Sequence, residues 1–410
     1  MQSDNIKIAV IGGGPAGMMA AGTAVRYGAS VTIFEAMSHL GKKLAITGKG
    51  RCNVTNDATV EEFLENVTKN PRFLYAALNA FSPADAMELF ESLGVPLKVE
   101  RGRRVYPVSD KAADIVRAMK KYAEGAKVIY EKVKSVKSTD GGFQITTAEK
   151  KYDFDRVILA TGGKSYPLTG SDGTGYAIAA ALGHTVTELI PSLIPIESKS
   201  PLCKSMQGLS LKNVAIKIVD KSNKVLYTDF GEMLFAHFGV TGPVILSASA
   251  HLRDVDIESL TLSIDLKPAL DEKTLDARLL SDFTAKANKD LINALGDLLP
   301  SKMIEPFISH SGIDPRKKVN AITKEERYKI LQTLKSFDIP LSRFRPIEEA
   351  IITSGGIAVK EITPKTMESK LHTGLYFAGE LIDVDAYTGG FNLQIAYSTG
   401  YLAGKSAAEY

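Results

Sequence analysis

The chain has 410 residues, 44% hydrophobic and 24% charged, with a formal net charge of +3. It exceeds the usual single domain of about 100–200 residues and has the balance of an ordinary globular protein, so disorder is excluded and two or more domains are expected. So small a charge, with no aromatic-basic stripe, argues against a nucleic-acid partner, and no apolar run nears the ~18 residues that cross a bilayer.

The first element is a nearly continuous apolar run, Ile6 to Ile11, as expected of a central strand buried on both faces of a parallel sheet. Gly12-Gly13-Gly14-Pro15-Ala16-Gly17 follows and opens an apolar helix. Gly12 permits a sharp turn, Gly14 lets backbone approach a pyrophosphate, and Gly17 lets the helix pack closely on the strand. Free N–H groups at the helix start face the phosphates, with Pro15 and Ala16 in that first turn. Val31-Thr32-Ile33-Phe34-Glu35 reads as the second strand. Its terminal Glu35, followed by Ala36, is placed to accept hydrogen bonds from a ribose 2′-hydroxyl. A 2′-phosphate would be repelled there, which leaves FAD or NAD and excludes bound NADP.

Next comes a glycine-punctuated loop from Gly41 to Asn56, whose Lys43, Gly50, Arg51, Cys52 and Asn53 are cofactor-facing candidates. Helical segments are expected from about Val60 to Ser92. Lys127 to Phe154 alternates strand and turn, with Asp140-Gly141-Gly142 as a hairpin signal and Val133 where a strand passes the adenine. Arg156 to Leu159 is a further buried strand running into a glycine turn, so Thr161 and Gly162 sit over the dinucleotide. An Ala-rich helix then runs from Thr174 to near Gly183.

From Pro191 the pattern changes to short alternating runs, such as Ala215–Val219 and Thr261–Leu266, which suggest a small antiparallel sheet or barrel to about residue 270. Asp271 to about Phe337 has helical spacing and no nucleotide signal. After Pro346 the cofactor pattern returns. Gly374-Leu375-Tyr376-Phe377-Ala378-Gly379-Glu380 reads as a strand ending in Gly-acid, and Gly389-Gly390-Phe391-Asn392-Leu393-Gln394 as a glycine turn opening a helix. Glu380 suits a ribityl hydroxyl, and the helix start suits the flavin pyrimidine. That decides for non-covalent FAD. The expected fold is α/β: a Rossmann-like FAD domain of residues 1–190 and 346–410, interrupted by a β-barrel-like insert over 191–270 and a helical insert over 271–345.

The run from Gly12 to Asn56 with its Gly-Lys-Gly-Arg-Cys-Asn-Val-Thr-Asn segment, Leu234 to Pro243, Thr353-Ser354-Gly355-Gly356-Ile357 and the C-terminal Gly-Gly-Phe-Asn-Leu-Gln resemble a bacterial family of FAD-dependent oxidoreductases. That family includes a 3-dehydro-bile-acid reductase. The resemblance covers nearly the whole chain and implies a glutathione-reductase-type FAD fold, without fixing a substrate. Arg51, His237 and Tyr387 are the candidates for catalysis: a cation near the flavin, a proton donor, and a proton donor or ring cover.

No second complete G-x-G-x-x-G unit exists, so NAD(P)H is expected at most as a transient donor. The leading expectation is hydride transfer through flavin N5 to an enone-like or hydrophobic small molecule. The alternatives are an oxygen-using amine or amino-ketone oxidase, and a flavin-dependent RNA-modification or redox-sensing module. Cys52 and Cys203 match neither a metal site nor C-x-x-C, so no metal and no disulfide reductase chemistry is expected. The first strand starts too early for a removable leader, so a cytoplasmic location without a membrane partner is expected. Oligomeric state stays open.

Overall fold

The computed structural model describes residues 5–253 and 255–409. One compact unit runs up to Ser192 and resumes at Ile347; the other spans Leu193–Pro346.

The first unit is built on five strands: β1 (Lys7–Ile11), β2 (Ser30–Phe34), β3 (Lys127–Ile129), β4 (Arg156–Leu159) and β5 (Leu375–Phe377). They lie in the order β5-β4-β1-β2-β3, all parallel. The register sets Ile11 beside Leu159 and Phe34, so the strands end level, at the edge where open α/β sheets bind ligands. Ile8, Ala9 and Val10 are fully buried, as the unbroken apolar run requires of a strand covered on both faces.

Helix α1 (Pro15–Arg26) follows β1, and every residue from Ala16 to Ala24 is buried. An amphipathic helix would expose one face, whereas this one packs between the sheet and the C-terminal helix α2 (Phe391–Glu409). The approach of the two helices depends on glycine. A Cβ on Gly400 would lie 2.4 Å from the Ala16 carbonyl oxygen, and one on Gly404 would lie 2.3 Å from that of Ala20. The C-terminal segment therefore belongs beside β1 even though the insertion separates them in sequence.

Short strands Ser135–Thr139 and Gly142–Thr146 form the hairpin signalled by Asp140-Gly141, a two-residue turn. The 60–92 stretch contains helices Val60–Glu65, Tyr75–Ala80 and Pro83–Ser92, but Val67–Lys69 is a strand paired with Asp385–Ala386. That pairing is tertiary, and local periodicity carries no trace of it.

The second unit holds a seven-stranded antiparallel sheet whose long strands are Ser210–Val219, Val225–Ala236 and Thr261–Asp265. Helices Glu272–Ala285, Ser301–Ser311 and Lys324–Lys335 pack on it. Leu262, Ile264 and Phe337 of the sheet share one buried core with Leu279, Phe307 and Leu334 of the helices. The strand-rich and helix-rich stretches thus form one body. No helix among the described residues is long and apolar enough to cross a membrane.

Candidate cofactor site

A cleft opens at the level ends of β1, β2, β4 and β5, within the first unit. It holds about 1400 Å³ of empty space, including the part open to solvent.

The glycine turn forms one wall. Gly12 has φ of +108°, and a Cβ on it would sit 2.4 Å from the Ala160 carbonyl oxygen, so only glycine turns the chain here. A Cβ on Gly17 would lie 1.8 Å from the Gly12 carbonyl oxygen, which shows how tightly α1 presses on the turn. Gly14 differs. Nothing lies within 4 Å of a Cβ built on it. No side chain caps α1 and Pro15 has no N–H, so the first turn keeps unspent donors toward that open space.

Glu35, 8% exposed, ends the second strand against the same wall. Its Oε2 accepts the Gly13 N–H at 2.8 Å and its Oε1 the Met37 N–H at 2.7 Å. Each oxygen of a carboxylate has two lone-pair sites, so one on each remains for a sugar hydroxyl. Burial pushes its pKa up, and the N–H bonds oppose that shift. Thr161 follows β4 beside the glycine turn, its hydroxyl buried without a hydrogen-bond partner against Gly175, where a Cβ would lie 1.9 Å from it. An open helix terminus and a carboxylate with spare acceptors on one cleft fit the phosphates and ribose of FAD.

Of the residues singled out in sequence, Gly12, Gly14, Pro15, Ala16, Glu35 and Ala36 line this cleft. So do Lys43, Val133, Thr161 and Gly162, and from the C-terminal segment Gly379, Glu380, Asn392 and Leu393. Gly17, Gly50, Arg51, Cys52, Asn53, Gly390 and Gln394 are not among its lining residues. Arg51, Cys52 and Gln394 have other tasks, while the buried Asn53 Oδ1 has no hydrogen-bond partner. Arg51 donates to Glu100 at 2.5 Å and to Asp110 at 2.6 Å, and its guanidinium carbon stands 4.2 Å over the Tyr106 ring. Glu100, then Asp110, hold it in the charged form. Cys52 is fully buried and burial pushes its thiol up to about 12, so it packs and does not react.

Gln394 is also fully buried, taking the Thr55 hydroxyl at 2.7 Å and donating to the Phe81 carbonyl at 3.1 Å. Gly390 lets α2 start against strand backbone, where a Cβ would meet the Thr55 oxygen at 2.2 Å. The Asn392 amide braces the preceding turn through both Ala386 backbone groups, at 3.0 and 2.8 Å. Tyr387 is half-buried in that turn, its N–H donating to the Asn66 carbonyl at 3.0 Å. His237 is exposed on the second unit, edge-on to Phe238.

Sequence reasoning passed over Lys42, Leu44, Thr47, Lys132, Asp172 and the pair Ile351 and Ile352, all of which line the cleft. The Gly41-Lys42-Lys43 run and the Ser171-Asp172 turn before a helix were visible signals. Ile351 and Ile352 carried none, because a return of the chain after the insertion brings them there.

The model of the family described as HI0933-like protein Rossmann domain matches residues 6–406. A 3-dehydro-bile acid delta(4,6)-reductase of Clostridium scindens is 32% identical over 98% of this chain and 99% of its own. A ribosomal RNA dihydrouridine synthase of Escherichia coli is 28% identical over 96% and 95%. Among solved structures, the 3-ketosteroid-Δ4-(5α)-dehydrogenase of Rhodococcus jostii RHA1 superposes with a TM-score of 0.52 at 16% identity, covering all of this chain and 98% of that one, a likeness of fold alone. With the glycine turn, Glu35 and the C-terminal helix assembled on one cleft, the chain belongs to the HI0933-like Rossmann family and is an FAD-dependent oxidoreductase.

Proposed function

We propose that the protein reduces a ring carbon–carbon double bond conjugated to a carbonyl in a hydrophobic small molecule, with NAD(P)H docking transiently as donor. The observation that carries this reading is the full-length similarity to a 3-dehydro-bile acid delta(4,6)-reductase. A dihydrouridine synthase, the name of the 28% relatives, also describes saturation of a ring double bond beside a carbonyl. The two names share a bond change and differ in what carries it.

The cleft supports the reading. Ile351, Ile352, Val384 and Leu393 give it apolar surface. Bound FAD supplies the hydride-transfer chemistry. The α1 terminus and Glu35 anchor its phosphate and ribose ends, while the apolar side chains exclude water beside the reacting carbon. This use requires neither a membrane nor a nucleic-acid partner and suits a cytoplasmic enzyme.

Uridine in ribosomal RNA is the second reading, favoured by two relatives that each cover at least 95% of both chains. One anaerobic experiment separates them. The flavoprotein is mixed with NADH or NADPH, and the bleached flavin is then offered a 3-oxo-4,6-diene steroid or ribosomal RNA. Bleaching followed by steroid-driven reoxidation supports the proposal. Reoxidation by RNA alone, with gain of two hydrogens on a uridine, transfers it to RNA. No bleaching with either nicotinamide removes the donor, and peroxide formed from an amine in air restores the oxidase reading.

A further inference from the structure

Away from the cofactor cleft, the first unit buries a small polar cluster where residues 358–374 fold back on the end of helix Thr174–Ala181. His184 is its centre, with a side chain that has no exposed surface. Nε2 of the ring lies 2.9 Å from Ser369 Oγ, and Nδ1 lies 3.3 Å from Glu361 Oε2. Phe377 of β5 closes one side edge-on, the ring centroids 4.8 Å apart. Two titratable groups face the ring: Glu361, on turn Val359–Glu361, and His372, whose ring centroid is 6.3 Å away. The helix meets His184 at Ala179, whose carbonyl accepts the His184 N–H at 3.0 Å, so neither helix nor β5 brings a charge there.

A hydroxyl has one proton and two lone-pair sites. Ser369 Oγ accepts the Leu371 N–H at 3.0 Å and the His372 N–H at 2.9 Å, so both sites are taken and its proton goes to His184 Nε2. That nitrogen is therefore bare, and the ring proton sits on Nδ1, toward Glu361. Serine, imidazole and carboxylate stand in the order of a hydrolytic triad, yet a buried serine with both lone pairs committed is no nucleophile. The same order has another use. A proton added to His184 goes to Nε2 and points at an oxygen with nothing left to accept it, so Ser369 must give up one of its two backbone donors. His372 differs, because its Nε2 already donates to the Leu182 carbonyl at 2.7 Å and that bond survives a second ring proton. Burial reinforces the contrast by holding His184 below the usual histidine value, against the pull of Glu361. The turn at stake leads into β5: the Ser369 N–H donates to the Leu375 carbonyl at 2.7 Å, and the Leu375 N–H to the His372 carbonyl at 3.3 Å.

We infer that His184 is an acid-operated latch on the last parallel strand. Neutral, it fastens the 369–372 turn, and with it the entry to β5, to the end of helix Thr174–Ala181; protonated, it lets the turn open. Because β5 runs on into Gly379 and Glu380, opening loosens the wall that these residues give the cleft. The inference goes beyond the reductase reading and stands if that reading fails.

The test is hydrogen exchange of the full-length protein, saturated with FAD, read by mass spectrometry over residues 361–375 from about pH 7.5 to about 5 and corrected for the intrinsic rate. The open turn binds the His184 proton more tightly than the closed one. Opening therefore increases as pH falls below the ordinary value of 6.5, by up to about tenfold per pH unit until the closed-state value is reached. Protection of this segment is expected to drop at least about tenfold by pH 5, with no matching drop in β1 and α1. His184→Gln keeps an acceptor for Ser369 and a donor for Glu361 without titrating, so it should flatten the acid loss, whereas His372→Gln should retain it. Protection in the original protein that is flat with pH, acid loss that survives in His184→Gln, or acid loss that disappears in His372→Gln overturns the latch. If His184→Gln does not fold, the ring-nitrogen NMR shifts of His184 in the original protein decide it: a bare Nε2 at neutral pH that gains its proton as the turn opens supports the latch, and a proton already on Nε2 overturns it.

Discussion

Gly14 and Gly17 are three residues apart in one motif, and their surroundings predict opposite consequences of the same substitution. An alanine at Gly17 puts its Cβ 1.8 Å from the Gly12 carbonyl oxygen, where ordinary contact begins at 3.4 Å, so helix or turn must recede by about 1.6 Å. Helix α1 is buried from Ala16 to Ala24 between sheet and α2 and cannot recede freely, and overpacking of this kind costs about 1–3 kcal/mol. Gly17→Ala is therefore expected to lower the stability of the apoprotein by that amount and to displace the first-turn donors. Gly14→Ala meets nothing within 4 Å. The apoprotein should change by no more than about 1 kcal/mol, the usual span for a helix cap. Its methyl would occupy the space the pyrophosphate needs, and FAD affinity should fall at least about tenfold, or 1.4 kcal/mol. Urea unfolding of the apoprotein and FAD titration measure the two quantities separately. A Gly14→Ala protein that binds FAD normally would refute the placement of the phosphates over this turn.

Two further outcomes follow from the same geometry. Arg51 has its donors engaged with Glu100 and Asp110 on an exposed surface, where such pairs contribute little, so Arg51→Met should leave the flavin absorption spectrum unchanged and FAD Kd within about threefold; loss of bound flavin with apoprotein stability unchanged would return Arg51 to the cofactor. For Glu35, burial raises the folded pKa above the unfolded one, so its contribution to apoprotein stability is present below the unfolded pKa and is lost as pH rises through the folded value. FAD affinity runs the other way, because the carboxylate has two acceptors to spare for the ribose, carries full charge, and loses one acceptor on protonation. Affinity should weaken as pH drops from about 8 toward 4.5, and Glu35→Gln should flatten the Glu35-dependent part of that profile; an identical profile in the variant would show that Glu35 does not face the ribose.

What was legible in sequence was what short-range steric rules dictate. The β1 turn needs glycine at Gly12 because of its +108° φ, and Glu35 follows at the spacing that one helix and one strand impose. Five parallel strands needed unbroken apolar runs, and four of them stood out for that reason. The neighbours of Glu380 were not legible. Its residue type and strand-end position are those of a sugar ligand, and its three donors arrive from Lys43, Ser165 and Thr353, up to 337 positions away. The same holds for Ile351 and Ile352, whose place on the cleft depends on where the chain re-enters the first unit after the insertion.

The Gly-Lys-Gly-Arg-Cys-Asn segment shows why a recurrent string need not touch the ligand it accompanies. Gly48, Lys49, Gly50 and Cys52 all have φ between +56° and +87°, and a left-handed conformation costs a non-glycine residue about 1–2 kcal/mol. Lys49 and Cys52 therefore require compensation. It comes from Arg51 and Cys52 N–H bonds to the Gly48 and Thr47 carbonyls at 3.2 and 3.0 Å, from burial of Cys52, and from the Arg51 ion pairs with Glu100 and Asp110 and its contact over the Tyr106 ring. The residues of the string are those that a tight left-handed turn and its fastening demand. Their product is displaced along the chain: the turn fixes Thr47, Leu44 and Lys43 on the cleft wall. A substitution in the string then acts on the cofactor through backbone position, and its effect should follow the strain it relieves or adds more closely than its charge.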